Sequence, residues 1–286
     1  MKTNLAASVR ARLLLVAKRD ATDFNQVLIR FALERLLYRL GISRHADRFL
    51  LKGALLFTLW YAMPHRSTRD ADLLGSGPCD LDTVRATFQE IAAMDGHDGL
   101  MFDPVSVTAD PIRKDTGYAG VRLLISASLT TARVKAQVDV GFGDAVTPGP
   151  VAATYPVLLD DLPAPTLRTY PVYTVIAEKL HAIALLGMAN TRLKDYFDLK
   201  VLLEREAIDH DVLADAVSAT FARRGMRVPA DTPVGLTTEF SRDESRRTQW
   251  TAFLRKNELA AIPLEETVNF LRDVLSPALS DAQLRT

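Results

Sequence analysis

A single cysteine, Cys79, stands in 286 residues, which excludes an intramolecular disulfide and fits a reducing compartment. Neither sign of charge is in excess. With 35 Lys and Arg against 35 Asp and Glu, no overall basicity announces a nucleic-acid partner, although a local patch is left open. The five histidines, His45, His65, His97, His181 and His210, lie far apart and show no zinc spacing. No uninterrupted apolar run occurs near Met1, because Arg10, Arg12, Lys18 and Arg19 break it up. Neither a signal peptide nor a membrane span is expected, and the cytoplasm is the expected location. What remains is an ordinary globular composition, 48% hydrophobic and 24% charged, long enough for one large domain or two modest ones.

The most informative stretch runs from Phe49 to Leu74. An apolar segment ends in Lys52-Gly53-Ala54, a run of short-helix length follows from Ala54 to Tyr61, and Arg66-Ser67-Thr68-Arg69-Asp70-Ala71-Asp72 comes after Pro64. If residues 68–74 form a strand, side chains alternate, so Arg66, Thr68, Asp70 and Asp72 share one face while Ala71 and Leu73 turn to the core. The two carboxylates then sit about 6.6 Å apart and repel by roughly 2–3 kcal/mol at an effective dielectric near 20. A cation should share such a site. A hard divalent ion, Mg²⁺ with Mn²⁺ as the alternative, suits paired carboxylates and also takes oxygens from a substrate phosphate. Upstream, Gly53 lets the backbone approach a phosphate, and the amides opening the next helix favour an anion.

A Gly before a short helix, followed by Asp-x-Asp on a strand, resembles the nucleotidyltransferase superfamily. Within it, Lys52-Gly53 followed by Arg66-x-Thr68-x-Asp70-x-Asp72 resembles the AbiEii-type toxins of bacterial toxin–antitoxin systems. Ala54 departs from the pattern, removing a hydroxyl contact to phosphate while keeping the space.

Residues 5–18 and 23–40 have helical periodicity, with Thr22 or Asp23 as cap of the second helix and Gly41 as its stop. Arg30, Arg35 and Arg39 read most simply as a solvated face, with an RNA backbone as the alternative occupant. Residues 81–93 read as a helix, and 105–109, 121–129 and 133–142 as strands. In the last of these, Ala136, Val138 and Val140 face one way and Lys135, Gln137 and Asp139 the other. The resemblance places Asp139 beside Asp70 and Asp72 as a third metal-binding carboxylate; its alternative is an edge-strand charge. Residues 144–171 are proline-rich and read as a connection.

Beyond it the chain turns helical. Residues 172–186 read as a helix stopped by Gly187 and carry Ala177-Glu178-Lys179-Leu180, and a helix from about Thr191 carries Arg192-x-Lys194-Asp195-x-x-Asp198-Leu199. These segments also resemble the AbiEii family, which implies Lys179 as a ligand of the nucleotide phosphates and Asp195 as its partner. The plain alternative is an exposed lysine and a ladder of Arg192, Asp195 and Asp198. His181 reads as a surface or core-edge residue. Further helices over 211–224, 243–255 and 264–275 carry Arg223-Arg224 and Arg246-Arg247 without a catalytic pattern.

The expected fold is α+β: a nucleotidyltransferase lobe with a mixed sheet over residues 1–165 and a helical lobe over 166–286, with the active site between them. Asp70, Asp72, Lys179 and Asp195 are the expected catalytic residues. Lys52, Gly53, Arg66, Thr68 and Lys179 are expected to bind nucleotide, and Asp70, Asp72 and Asp139 the metal. The resemblance implies a toxin that transfers a nucleotide from an NTP to RNA, with the tRNA 3′ end as expected acceptor, opposed by a cognate antitoxin. The alternatives are transfer to a small molecule or protein, and a nucleotide-binding module without turnover.

Overall fold

The computed structural model describes residues 2–61, 68–112 and 120–285. The chain divides into two units, Met1–Gly143 with Val151–Thr169, and Asp144–Pro150 with Tyr170–Thr286.

In the first unit, helices α1 (Lys2–Arg19) and α2 (Phe24–Ile42) lead into strand β1 (Phe49–Lys52), helix α3 (Leu55–Tyr61), strand β2 (Asp70–Gly75) and helix α4 (Leu81–Ala93). Strands β3 (Met101–Phe102), β4 (Thr108–Ile112), β5 (Gly120–Leu129) and β6 (Ala132–Phe142) follow, and β7 (Val151–Thr154) and β8 (Thr166–Thr169) complete the sheet. Its order is β3-β5-β6-β2-β1-β8-β7, with β4 also on β5. The β2–β6 and β1–β8 pairs are parallel and the others antiparallel, so the sheet is mixed and the class is α+β. Helix α2 packs against β6 and β8, and α4 against β4 and β5. Ala71, Leu73, Val138 and Val140 are buried as the alternation requires.

Several expectations for this unit change. The proline-rich segment is no bare connection, since it contributes β7 and β8. Only Thr108 and Ala109 of the expected 105–109 strand lie in β4, because Pro104–Ser106 forms a 3₁₀ turn capped by the Asp103 carboxylate, which accepts from the Val105 amide. Asp23 caps α2 as expected, accepting from the Asn25 and Gln26 amides. Gly41 does not stop α2. The helix runs on to Ile42, and a Cβ at Gly41 would lie 2.5 Å from the Thr166 carbonyl oxygen, so this glycine serves a close approach of helix to sheet.

The largest correction concerns Arg35 and Arg39, which are interior rather than solvated. Arg39 holds Asp98 through two hydrogen bonds of 2.7 and 3.1 Å and reaches the Met94 and Leu100 carbonyls. Arg35 lies 3.5 Å from Asp98 and 3.6 Å from Glu34, and donates to the Pro163 carbonyl. A charged residue every four or five positions reads as a wet helix face; here Glu34 and Asp98 match it inside, as a buried charge requires.

The second unit is helical: α5 (Val172–Leu186), α6 (Leu193–Arg205), α7 (His210–Arg223), α8 (Thr238–Arg242), α9 (Glu244–Lys256) and α10 (Leu264–Leu284). Gly187, at φ 47°, ends α5 as expected. Val172–Ala189 is apolar and long enough to cross a membrane by length and composition, with a mean hydropathy of 1.4. It carries Glu178 and Lys179 and buries Val175, Ile176, Ala177, Leu180 and Ile183 within the unit, the pattern of a core helix. Helix α10 passes its expected end at Leu275 because Ala278, Leu279 and Ala282 continue its buried stripe through Pro277.

Candidate active site

In the first unit, strand pairing assembles the acids. Asp72 on β2 stands opposite Asp139 on β6, Asp139 opposite Arg122 on β5, and Asp72 opposite Lys52 on β1. One transverse row across four strands therefore reads Lys52, Asp72, Asp139, Arg122, with neighbours about 4.8 Å apart along the hydrogen-bonding direction. Asp70 and Gln137 pair in the next row on the same face. Like charges directly opposite destabilise a sheet, so Asp72 beside Asp139 is a feature that local folding preference disfavours.

Gly53 ties the two halves of the motif together. Its φ is 73°, and a Cβ there would lie 2.1 Å from Oδ2 of Asp72 and 2.8 Å from its Cβ. The glycine is thus required both by backbone conformation and by the Asp72 carboxylate packed against it. Helix α3 starts two residues later but has only seven residues, so the helical dipole expected to attract phosphate is short. Thr68 lies just before β2, and its hydroxyl donates to Oδ1 of Asp70 at 2.7 Å, fixing that carboxylate. Arg66 lies outside the described residues.

Arg122 was not singled out by the sequence, where it is one arginine in an apolar strand. It donates from Nε to Oδ1 of Asp139 at 2.9 Å and from Nη2 to Oδ2 at 2.6 Å, while Gln137 adds a 3.3 Å contact to Oδ1. The hydrogen bonds to Asp139 and the charges of Asp139, Asp70 and Asp72 together outweigh burial and raise its pKa above the ordinary arginine value. Arg122 is thus the cation facing all three acids. Among the described residues, no three His, Cys, Asp or Glu side chains converge closely enough, as they stand, to hold a metal ion. Both oxygens of Asp139 accept from Arg122, so a cation there would compete with the guanidinium for this carboxylate. In donor chemistry the residues fit a hard divalent cation, since Asp70 and Asp72 offer carboxylate oxygens two residues apart on one strand.

In the second unit, Lys179 on α5 is not an exposed lysine. Its Nζ donates to Oδ1 of Asp195 at 2.8 Å and to Oδ2 of Asp198 at 2.7 Å, and Arg192 donates to the other oxygen of Asp195 at 2.7 Å. Asp195 and Asp198 are buried, and the Lys179 side chain is 14% exposed. Burial works against each charge, yet the pairing wins: the Lys179 ammonium is held above its usual pKa by Asp195 and Asp198, and the Asp195 carboxyl below its own by Lys179 and Arg192. Asp198 entered the sequence reading only as a ladder member; its i+3 spacing from Asp195 was the available signal.

One member of each arginine pair in this unit is engaged as well. Arg224 binds Asp144 at 3.0 Å and Glu178 at 3.2 Å, and Arg246 donates to the Met188 carbonyl at 2.6 Å. His181 is interior, edge-on to Phe221, and burial beside Arg224 pushes its pKa down to about 4, so it is neutral.

Residues 35–274 match a family model described as nucleotidyl transferase AbiEii toxin, type IV TA system. The crystal structure of JHP933 from Helicobacter pylori is similar with a TM-score of 0.46 and 16% identity, covering 88% of this chain and 90% of that one. A crystal structure of a candidate nucleotidyltransferase from H. pylori has a TM-score of 0.45 and 16% identity over 88% and 93% of the two chains. No curated protein matches the chain in sequence.

Proposed function

The chain belongs to the AbiEii family of nucleotidyl transferase toxins of type IV toxin–antitoxin systems, and from that premise we propose that it transfers a nucleotide from an NTP to the 3′ end of an RNA, tRNA first among them. The observation that carries the catalytic part is the fit of Gly53 against Asp72 in the row where Asp72 faces Asp139. An acceptor hydroxyl attacks the α-phosphorus and pyrophosphate leaves. Asp70 and Asp72 would hold a divalent cation, Mg²⁺ or Mn²⁺, with Asp139 as the third carboxylate. Such a cation, when bound, neutralises charge on both oxygens of the in-line displacement. Thr68 keeps the Asp70 carboxylate oriented, and Gly53 lets the backbone pack directly against the Asp72 carboxylate. Lys52 and Arg66 are assigned to the same triphosphate. Lys179 and Asp195 are assigned to nucleotide phosphate on the family pattern alone, a lysine being a point charge that can follow the triphosphate through reaction. Blocked acceptor ends would arrest translation in the cytoplasm, and a cognate antitoxin would oppose it.

One observation favours a second reading, transfer to a small molecule or protein. Arg35 and Arg39 are interior, and Arg224 and Arg246 already hold partners, so four of the seven arginines considered for an RNA backbone are committed elsewhere. The test is incubation of the pure protein with each labelled NTP, Mg²⁺ or Mn²⁺, and total RNA. Label on RNA, lost in D70N, is the expected result. Label on a small molecule or on protein but never on RNA overturns the RNA assignment, and no transfer with any NTP overturns the whole reading.

A further inference from the structure

We propose that Arg122 competes with the divalent cation for Asp139 and, once displaced, binds a phosphate of the incoming nucleotide. It is thus a positioning residue of the site, and the inference rests on the nucleotidyl-transfer reading above. Three observations carry it. The Arg122 fork takes a site on each oxygen of Asp139, at 2.9 and 2.6 Å, and Gln137 takes a second on Oδ1, so a metal ion at this carboxylate meets the guanidinium as a competitor. The row Lys52, Asp72, Asp139, Arg122 puts the guanidinium one strand beyond the acids, on the same face. Finally, Arg122 is 45% exposed while Asp139 is 14% exposed, so the arginine can swing outward and the aspartate cannot follow it. A guanidinium carries donors that match a phosphate as well as a carboxylate, so the same fork can pass from Asp139 to a triphosphate oxygen without losing its pairing. Asp139 is then released for metal when nucleotide arrives, which couples the two ligands.

The coupling predicts opposite effects on the two ligands, which a purely structural role would not produce. Full-length protein is titrated with Mn²⁺ without nucleotide, free Mn²⁺ being read by electron paramagnetic resonance. R122Q should bind Mn²⁺ between about two- and fivefold more tightly than wild type, the range to which the coupling of a partly exposed ion pair corresponds. R122K, which keeps the charge and loses the fork, should fall between them and serves in its place should R122Q not fold. In a D139N background the R122Q change should tighten Mn²⁺ less than it does in wild type, leaving only its charge on Asp70 and Asp72. With Mg²⁺ and saturating acceptor, R122Q should raise KM for NTP more than it lowers kcat. Mn²⁺ binding by R122Q equal to or weaker than wild type, with D70N and D72N impaired, overturns the Arg122 inference alone. Wild-type Mn²⁺ binding in both D70N and D72N removes the metal site and the inference with it.

Discussion

Removing the Lys179 ammonium tests whether this residue serves the fold, the nucleotide or both. Lys179 and Arg192 balance Asp195 and Asp198, and three contacts of 2.7–2.8 Å connect the four groups. Lys179→Ala removes the ammonium from two carboxylates, each no more than 1% exposed, and leaves Arg192 on Asp195. Withdrawing one partner from a buried pair costs about 3–5 kcal/mol. At about 2–4 °C per kcal/mol for a chain of this size, Tm should fall by roughly 10 °C. K179A/D198N restores one cation to one anion and should recover most of that loss. Differential scanning calorimetry and NTP binding on the three proteins separate the roles: a stable double variant that still fails to use NTP makes Lys179 a nucleotide ligand, as proposed. The pH dependence follows from the shifts. Asp195 has a lowered pKa, so its contribution is complete above the ordinary carboxylate range and lost as pH falls through the folded value. Lys179 has a raised pKa, so its contribution is complete below the ordinary lysine value and lost as pH rises through the folded one. The K179A deficit should therefore be flat from about pH 5 to pH 9. A Tm within about 2 °C of wild type would refute the claim that this cluster holds the unit together, and normal turnover in K179A/D198N would refute the nucleotide role.

D70N and D72N should each abolish metal-dependent transfer while Tm stays level or rises, since each removes a charge from a crowded face; full activity in either sinks the metal assignment. Gly53→Ala places a methyl 2.1 Å from Oδ2 of Asp72 in a left-handed conformation, so it should lose both activity and about 1–3 kcal/mol by urea titration, and an active, fully stable G53A would contradict the packing. Glu34 is held at a pKa of about 7, because burial outweighs the Leu158 amide and Arg35 that favour its charge. Its folded value lies above the ordinary 4.5, so the stability tied to its proton is full below 4.5, wanes toward 7 and is gone above it. Wild type should lose up to about 3 kcal/mol between pH 4.5 and pH 8, and E34Q should remove most of that slope; parallel slopes in the two proteins would count against a buried, protonated Glu34.

Much of this protein is fixed by local pattern. The alternation in Asp70-Ala71-Asp72-Leu73 settles which side chains leave the core, because a strand has a period of two whatever it pairs with. Helix α4 and α5 occupy the residues that periodicity and capping assign them, Gly187 included, since these signals act within a few residues. The family pattern of Lys52-Gly53 with Asp70-x-Asp72 likewise needs no third dimension to be seen. Pairing does need it. That Asp139 stands opposite Asp72, that Arg122 closes the row, and that Gly53 must be a glycine because of Asp72 all follow from strand order, which joins residues 17 to 67 positions apart.

Charge in helices was misread for the same reason. Arg35, Arg39 and Lys179 each look like solvated residues in one dimension, because a helix face says nothing about what lies across from it. Asp98, Asp195 and Asp198 decide the matter, and they arrive from other elements. The sequence by itself determined most of the helices, the alternation of the acid-bearing strands and the family, since periodicity and motif are read along the chain. Tertiary structure alone decided which charges are buried and which cation each acid faces, because the energy of a charge depends on its solvent and its partner, and the chain order specifies neither.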